Sequence, residues 1–301
     1  MTRVLVTGAS GMLGRSVMKE LLANAKSWET LGLAFSRTGP GLKKCDLTDP
    51  KQIKTVFEEF KPNVVIHSAA ERRPDVVDKN EEATTALNVG ATEAICNIAE
   101  ECGAYVIYIS TDYVFDGNDA PYEVDATPNP LNRYGKTKFE GEKMVLKINK
   151  GNIVLRVPIL YGEVGYIEES AVTIIIKQIF DKTKEHVSDD YARRFPTYTG
   201  DIAVVLRELI EKRTEDDSIK GIYHWSGDEN MTKYSMGQAM SEVFRLPFSH
   251  VKPNKNAPTD GVPRPYDANL SSKRIESLGI CKRTPFRDGI KICLEQFVPK
   301  S

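Results

Sequence analysis

Tyr134 and Lys138 are the residues whose types and spacing most directly suggest chemistry in this sequence. They lie at the start of a predicted helix, where positions four apart share one face. A phenol has an ordinary pKa of about 10, and a neighbouring ammonium favours the phenolate and lowers that pKa. The pair therefore predicts a proton donor for a carbonyl reaction, with Lys138 also able to hold a ribose. The alternative for such a pair, taken alone, is an exposed helix face.

A hydroxyl from a second element would complete such a site. Ser110 and Thr111 follow a predicted strand at 105–109, upstream of Tyr134. A hydroxyl at a strand end can position a substrate carbonyl. The four histidines show no partner pattern for nucleophilic or metal chemistry, so we expect core or surface roles for them.

A glycine turn near the start of the chain predicts a dinucleotide site. Gly8, Gly11 and Gly14 stand between a strand-like run at 4–6 and a helical pattern. Gly8 permits a tight turn, Gly11 lets the backbone approach a pyrophosphate, and Gly14 lets helix and strand pack closely. The helix N-terminus adds N–H groups and a positive dipole end. The alternative is a glycine-rich turn without a ligand.

The end of the second predicted strand distinguishes between the two nicotinamide dinucleotides. NAD-preferring folds carry an acidic residue about 20 positions after the glycine turn, whereas this chain has Phe35, Ser36 and Arg37. Arg37 can pair with a 2′-phosphate through two hydrogen bonds, which predicts NADP(H); the alternative is a solvated loop arginine. Asp46 is the candidate for a contact with the adenine.

The pattern of elements predicts an α/β fold with a Rossmann-type doubly wound parallel sheet, because short apolar runs alternate with helical periodicities. Predicted strands lie at 4–6, 31–35, 63–67, 105–109, 152–157 and 221–225, and predicted helices at 13–25, 50–60, 81–102 and 201–212. We expect residues 1–160 to form a dinucleotide-binding domain to which 200–226 return. Residues 161–199 and 227–301 would form a smaller lobe over the carboxyl edge of the strands, where ligands bind in such sheets.

Composition excludes several other classes of protein. The 301 residues carry 41 Lys and Arg against 42 Asp and Glu, which gives no reason to expect general binding of nucleic acid or anionic membrane. Five scattered cysteines support neither a disulfide framework nor a zinc site, and we expect no metal. No apolar run approaches the length of about 20 residues that spans a bilayer, and a strand-like run from Arg3 leaves no room for a signal peptide. We therefore expect a cytoplasmic protein.

The motifs together resemble those of the extended short-chain dehydrogenase/reductase superfamily. The G-x-x-G-x-x-G spacing at 8–14 is typical of that branch, and the resemblance implies Thr111, Tyr134 and Lys138 as catalytic residues. The stretches 110–117 and 130–138 resemble dTDP-4-dehydrorhamnose reductases, which reduce a nucleotide-sugar ketone with NAD(P)H.

A second resemblance extends over nearly the whole chain and ranks first. The stretches 69–77, 158–164, 194–197, 224–227 and 231–234 resemble the regulatory β subunits of methionine adenosyltransferase. Matched position by position, and with the turn glycines and Ala69 added, the implied cofactor contacts are Gly8, Ser10, Gly11, Met12, Leu13, Gly14, Phe35, Ser36, Arg37, Asp46, Leu47, Ser68, Ala69, Arg72, Tyr134, Lys138 and Leu160.

The two resemblances imply different partners. As a reductase, the protein would take a nucleotide-sugar substrate, with its pyrophosphate near Arg193, Arg194, Lys233 and Arg264; the alternative for these four is solvated surface charge. As a regulatory subunit in S-adenosylmethionine synthesis, it would hold NADP(H) as a structural or sensing ligand and bind a methionine adenosyltransferase catalytic subunit. An NAD-retaining epimerase or dehydratase is disfavoured by Arg37.

Two stretches depart from these patterns. Glu71, Arg72 and Arg73 replace the short aromatic-acidic loop of the sugar reductases. The basic, aromatic tail with which β subunits reach their catalytic subunits has no counterpart at 297–301.

Overall fold

The computed structural model describes residues 1–24 and 28–299 of the chain. Its strands are β1 (Thr2–Thr7), β2 (Trp28–Ala34), β3 (Leu42–Lys44), β4 (Val64–His67), β5 (Tyr105–Thr111), β6 (Ile153–Val157), β7 (Leu160–Tyr161), β8 (His186–Asp189), β9 (Thr197–Tyr198), β10 (Gly221–His224) and β11 (Val251–Asn254). Its α-helices are α1 (Met12–Ala23), α2 (Pro50–Phe60), α3 (Pro74–Lys79), α4 (Glu81–Thr85), α5 (Ala91–Glu101), α6 (Arg133–Ile148), α7 (Ile176–Phe180), α8 (Thr199–Glu215), α9 (Lys233–Phe244), α10 (Lys273–Glu276) and α11 (Phe286–Leu294).

A large parallel sheet organises the chain and confirms the predicted fold class. In the described residues its order is β10-β6-β5-β4-β1-β2-β3, with every neighbouring pair parallel. The order in which successive strands are added reverses between β1 and β4: β2 and β3 lie on one side of β1, and β4, β5, β6 and β10 lie on the other. At this point Thr7 lies opposite His67. A crevice at the carboxyl ends of the strands forms at such a reversal.

Both faces of the sheet are buried, which explains why its strands read as continuous apolar runs. Side chains alternate between the faces of a strand. Val4 and Val6 therefore pack in a core cluster with Val17 of α1 and Leu206 of α8. Leu5 lies in the opposite cluster, which includes residues of α2 and α5.

A third apolar cluster lies among elements that follow β6. Tyr161, Ile176, Met236, Met240 and Ile290 pack together there, joining α7, α9 and α11. Two short parallel pairs, β7 with β9 and β8 with β11, accompany it. The division of the chain at 160/161 remains a prediction.

The helix predicted over 81–102 is confirmed in its course, since the chain is helical without a break from Glu81 to Glu101, but its hydrogen-bond pattern changes midway. The structure has α4, then a π turn at Ala86–Gly90, then α5, and it adds α3 before them. A π turn inserts one extra residue into a helical turn. Here it carries the buried Asn88, which accepts from the backbone N–H of Glu71 at 2.9 Å and donates to its carbonyl at 3.0 Å. Periodicity does not predict this turn, because the contacts that favour it come from a distant loop.

Other elements also differ from their predicted ranges. β2 spans Trp28–Ala34 rather than 31–35, and Phe35 follows it with 64% of its surface exposed. The helix predicted at 13–25 ends at Ala23, and Ala25 lies outside the described residues. The edge strand β3 has no counterpart among the predicted strands, because its run of Leu42, Lys43 and Lys44 shows no apolar alternation. None of the helices in the described part of the chain has the length and apolar character that crossing a bilayer requires.

Candidate active site and dinucleotide cleft

One cavity of about 680 Å³ lies at the carboxyl ends of the sheet strands. The structure places every predicted catalytic and cofactor residue around it: Gly8, Ser10, Gly11, Met12, Leu13, Gly14, Phe35, Ser36, Arg37, Asp46, Leu47, Ser68, Ala69, Arg72, Thr111, Tyr134, Lys138 and Leu160. Residues from later in the chain, among them Ala171, Arg194, Lys233 and Arg264, also line it. The roles of these residues as ligands or catalysts remain predictions.

The glycine turn has the geometry that a phosphate site requires. Gly8 adopts a positive φ of 65°, and a Cβ at Gly14 would lie 2.2 Å from the carbonyl oxygen of Gly8. Gly11 is the N-cap of α1 and offers no side-chain hydrogen bond to it. The first N–H groups of a helix have no partner within it. The turn therefore presents helix N–H groups to the cavity, as anion sites at helix N-termini do.

Arg37 lies past the end of β2, with 55% of its side chain exposed. Its Nη1 donates to Oε1 of Glu169 at 3.2 Å. The Asp46 carboxylate, predicted to contact the adenine, accepts from the backbone N–H of Thr48 at 2.9 Å and from its hydroxyl at 2.7 Å. Asp46 also lines the cavity.

Glu169, which the sequence did not single out, contacts Arg37 and Arg72, two residues that line the cavity. Its carboxylate is 5% exposed and accepts two hydrogen bonds from Arg15, at 2.8 and 2.7 Å. Burial opposes ionisation of Glu169, but hydrogen bonds from Arg15 and from the backbone N–H of Gly165 outweigh it and hold its pKa at about 2. No spacing signal joins Glu169 to Arg15, because 154 positions separate them.

The proposed catalytic residues meet at the floor of the cavity. The Thr111 hydroxyl donates to Oδ1 of Asp112 at 3.1 Å. It also lies beside the Tyr134 phenol, where its hydrogen bond acts against the larger effect of burial on the phenol's pKa. Lys138 is buried, with its Nζ 3.9 Å from the centre of the Tyr108 ring. Burial lowers the pKa of Lys138 to about 7, and the charge of Glu142 opposes that change.

The predicted lowering of the Tyr134 pKa is not found, because burial outweighs every other influence on it. Burial raises the pKa of Tyr134 well above 10, and the Thr111 hydrogen bond offsets only part of that rise. Desolvation disfavours the charged form of both a phenol and an amine. The folded chain therefore favours a neutral phenol, which is the form that donates a proton.

The start of α6 fixes where Tyr134 lies. The Asn132 side chain accepts from the N–H of Gly135 at 2.9 Å and donates to the carbonyl of Pro263 at 2.8 Å. An N-cap of this kind satisfies an otherwise unpaired helix N–H. A Cβ at Gly135 would lie 2.2 Å from the Tyr113 carbonyl oxygen, so the helix start packs directly on the Thr111 loop.

The far end of the cavity is positively charged. Arg194 is 6% exposed and donates to the Pro265 carbonyl at 3.1 Å. Burial lowers the pKa of Lys233, and the charges of Arg264 and Arg194 lower it further. Burial raises the pKa of Asp112 to about 7, with Arg194 opposing the rise.

Arg193, the fourth cation predicted at this end, lies elsewhere. It contacts Tyr266 and Asp267 and does not line the cavity. Within residues 1–24 and 28–299, no group of three potential metal-binding side chains comes together.

Comparisons with known proteins identify two kinds of relative. The family described as RmlD substrate binding domain matches residues 1–298. Methionine adenosyltransferase 2 subunit beta of Xenopus tropicalis is 49% identical over 296 residues, which are 98% of this chain and 88% of that protein. A dTDP-4-dehydrorhamnose reductase of Aggregatibacter actinomycetemcomitans is 33% identical over 242 residues, 80% of this chain and 78% of that protein.

A solved structure shares the fold. The dTDP-4-dehydrorhamnose reductase of Bacillus anthracis in complex with NADP aligns with a TM-score of 0.84 at 24% identity, covering 98% of this chain and 99% of that one. At this identity the likeness supports the Rossmann-type architecture alone.

Proposed function

Because this chain belongs to the RmlD substrate binding domain family, we propose that it binds NADP(H) in the cavity and serves as a regulatory subunit of a methionine adenosyltransferase in the cytoplasm. The observation that carries the cofactor assignment is the convergence of the glycine turn and Arg37 on one cavity. The regulatory role rests on the 49% identity to a β subunit across 98% of the chain.

The residues around the cavity fit a 2′-phosphorylated dinucleotide. A Cβ at Gly11 would approach only the Gly8 carbonyl oxygen, at 3.1 Å, so the protein alone could accept a side chain there only by a shift of a few tenths of an ångström. A pyrophosphate lying against the turn requires a glycine there. No carboxylate stands at Phe35–Arg37, and Arg37 is exposed to the cavity. The glycine turn would hold the pyrophosphate, Arg37 the 2′-phosphate, and Lys138 the ribose.

The test of the cofactor assignment is Arg37→Ala. Loss of a charge-assisted contact should weaken NADP⁺ binding by about 1–3 kcal/mol, roughly 5- to 150-fold, and leave NAD⁺ binding little changed. Titration calorimetry with both dinucleotides measures this. The control is Arg193→Ala, which lies outside the cavity and should change neither affinity. Equal losses for NADP⁺ and NAD⁺ would refute the 2′-phosphate role of Arg37.

A second function, reduction of a nucleotide-sugar ketone, is favoured by Thr111 and Tyr134 beside the cationic end of the cavity. Bound NADPH would supply a hydride to the ketone carbon. Tyr134 would donate its phenolic proton to the ketone oxygen, and Thr111 would hold that oxygen. Arg194, Lys233 and Arg264 would bind the pyrophosphate, since clustered cations recognise phosphate oxygens.

A paired assay separates the two functions. NADPH oxidation is followed with dTDP-4-keto-6-deoxy-L-mannose, and co-purification is tested with the methionine adenosyltransferase catalytic subunit of the same organism. A stable complex without turnover supports the regulatory subunit. Turnover without a complex supports the reductase and refutes the regulatory role.

A further inference from the structure

We propose that Glu169 is a specificity-determining residue that competes with the 2′-phosphate of the dinucleotide for Arg37, and so reduces the preference for NADP(H) over NAD(H). This inference rests on the proposed cofactor site and assigns a new role to a residue outside the predicted contacts.

Three arginines from separate elements converge on Glu169. Arg15 of α1 holds both carboxylate oxygens, and Arg37 after β2 contacts Oε1. Arg72, after β4, donates to the backbone carbonyl of Glu169. The carboxylate itself is 5% exposed. Glu169 therefore occupies, from the later part of the chain, a cluster of three arginines, of which Arg37 and Arg72 line the cavity.

The two carboxylate contacts are unequal. Arg15 makes a two-point contact at 2.8 and 2.7 Å, the strong arrangement for an arginine and a carboxylate. Arg37 makes one contact at 3.2 Å and keeps 55% of its side chain exposed. Arg37 is thus the partner that can turn to another anion, while Arg15 continues to neutralise Glu169.

A 2′-phosphate on Arg37 would lie near a fixed negative charge. A phosphate monoester carries a charge of about −1.5 to −2 at neutral pH. Glu169 stays ionised in this range, because its pKa is held at about 2. Binding of NADP⁺ must therefore replace the Arg37–Glu169 contact and overcome repulsion by the carboxylate, whereas NAD⁺ binding requires neither.

The test is Glu169→Gln, titrated with NADP⁺ and NAD⁺. We expect the dissociation constant for NADP⁺ to fall by about 3- to 30-fold, since like charges near a site disfavour an anion, and that for NAD⁺ to change by less than about twofold. The matched control is Glu168→Gln, the neighbouring carboxylate, which pairs with Lys177 on the surface. It should alter neither constant.

A double-mutant cycle shows whether the effect passes through Arg37. In an Arg37→Ala background, Glu169→Gln should lose most of its effect on NADP⁺, as coupled residues are non-additive. If Glu169→Gln does not fold, Glu169→Asp provides the second variant. Its shorter side chain keeps a charge for Arg15 but withdraws from Arg37, so NADP⁺ should again bind more tightly.

The other outcomes contradict the proposal in distinct ways. A parallel change for both dinucleotides would make Glu169 a structural residue only. Selective weakening of NADP⁺ would make it a residue that positions Arg37 rather than competing for it. Failure of the unsubstituted chain to bind NADP⁺ would refute the cofactor assignment itself, and with it this proposal.

Discussion

Lys138 illustrates how a residue that lines the cavity can carry a cost to the fold. It is 3% exposed and lies against the Tyr108 ring. Its pKa falls to about 7 from the usual 10.5, because burial disfavours the ammonium. A charged lysine that is buried this deeply destabilises the fold unless a ligand compensates its charge.

The pH dependence of that cost is predictable. Between pH 7 and 10.5 the unfolded chain keeps a proton on Lys138 that the folded protein releases. The stabilising contribution of neutral Lys138 is complete above pH 10.5 and is lost as the pH falls through about 7. We expect Lys138→Met to raise the free energy of unfolding at pH 6 by about 1–3 kcal/mol more than at pH 10.5.

Urea denaturation at the two pH values measures this difference. The control is Lys136→Met on the same helix, where the side chain is exposed, so that the general effect of replacing a lysine by methionine is measured separately. A pH-independent effect of Lys138→Met would show that its ammonium is not desolvated in the folded protein.

At the scale of elements, the turn between β1 and α1 contains glycines with two different functions. Gly14 is required by the protein, because a Cβ there would lie 2.2 Å from the Gly8 carbonyl oxygen and 2.6 Å from the Ala9 Cα. Gly11 has only one close neighbour, at 3.1 Å, and faces the cavity. One glycine therefore serves packing, and the other serves the proposed ligand.

The two alanine variants should accordingly differ. Gly14→Ala should lower the free energy of unfolding by about 2 kcal/mol or more, because overpacking forces the backbone to shift. Gly11→Ala should change stability by less than about 1 kcal/mol yet weaken NADP⁺ and NAD⁺ at least tenfold. Thermal unfolding and dinucleotide titration test the pair. Full dinucleotide affinity in Gly11→Ala would place the pyrophosphate away from this turn.

At the scale of the whole molecule, a buried ion pair joins α6 to the sheet. Arg156 of β6 and Glu142 of α6 are 1% and 2% exposed and share two hydrogen bonds, at 2.9 and 2.7 Å. Ser110 of β5 donates to the same carboxylate, and Arg156 also lies 3.2 Å from His224 of β10. The pair thus links three strands to the helix that carries Tyr134.

Breaking this pair should be expensive. Arg156→Met leaves Glu142 buried without its partner, and we expect a loss of about 3–5 kcal/mol in the free energy of unfolding. The double variant Arg156→Met/Glu142→Leu should recover much of that loss, since neither charge then remains buried. The control is Lys19→Ala, which removes an exposed pair with Glu163 and should cost less than about 1 kcal/mol. Urea denaturation measures these differences. Equal losses in the free energy of unfolding for Arg156→Met and Lys19→Ala would contradict a special role of the buried pair.

The sequence by itself determined the fold class and, together with the family resemblances, identified many of the residues around the cavity. Each signal is local: three glycines between a strand and a helix, hydroxyls at the end of β5, and Tyr134 one helical turn from Lys138. The carboxyl ends of parallel strands lie at one edge of the sheet. Predicting the sheet was therefore enough to bring Gly8, Arg37 and Thr111 together around one cavity.

The tertiary structure alone decided two properties of that cavity. Glu169 reaches Arg15 and Arg37 across 154 and 132 positions, and no local periodicity relates residues so far apart. The pKa of Tyr134 rises rather than falls, because desolvation depends on everything packed around the phenol and not on Lys138 alone. Local spacing determines which groups face the same way, but charge and burial at a site are sums over the whole fold.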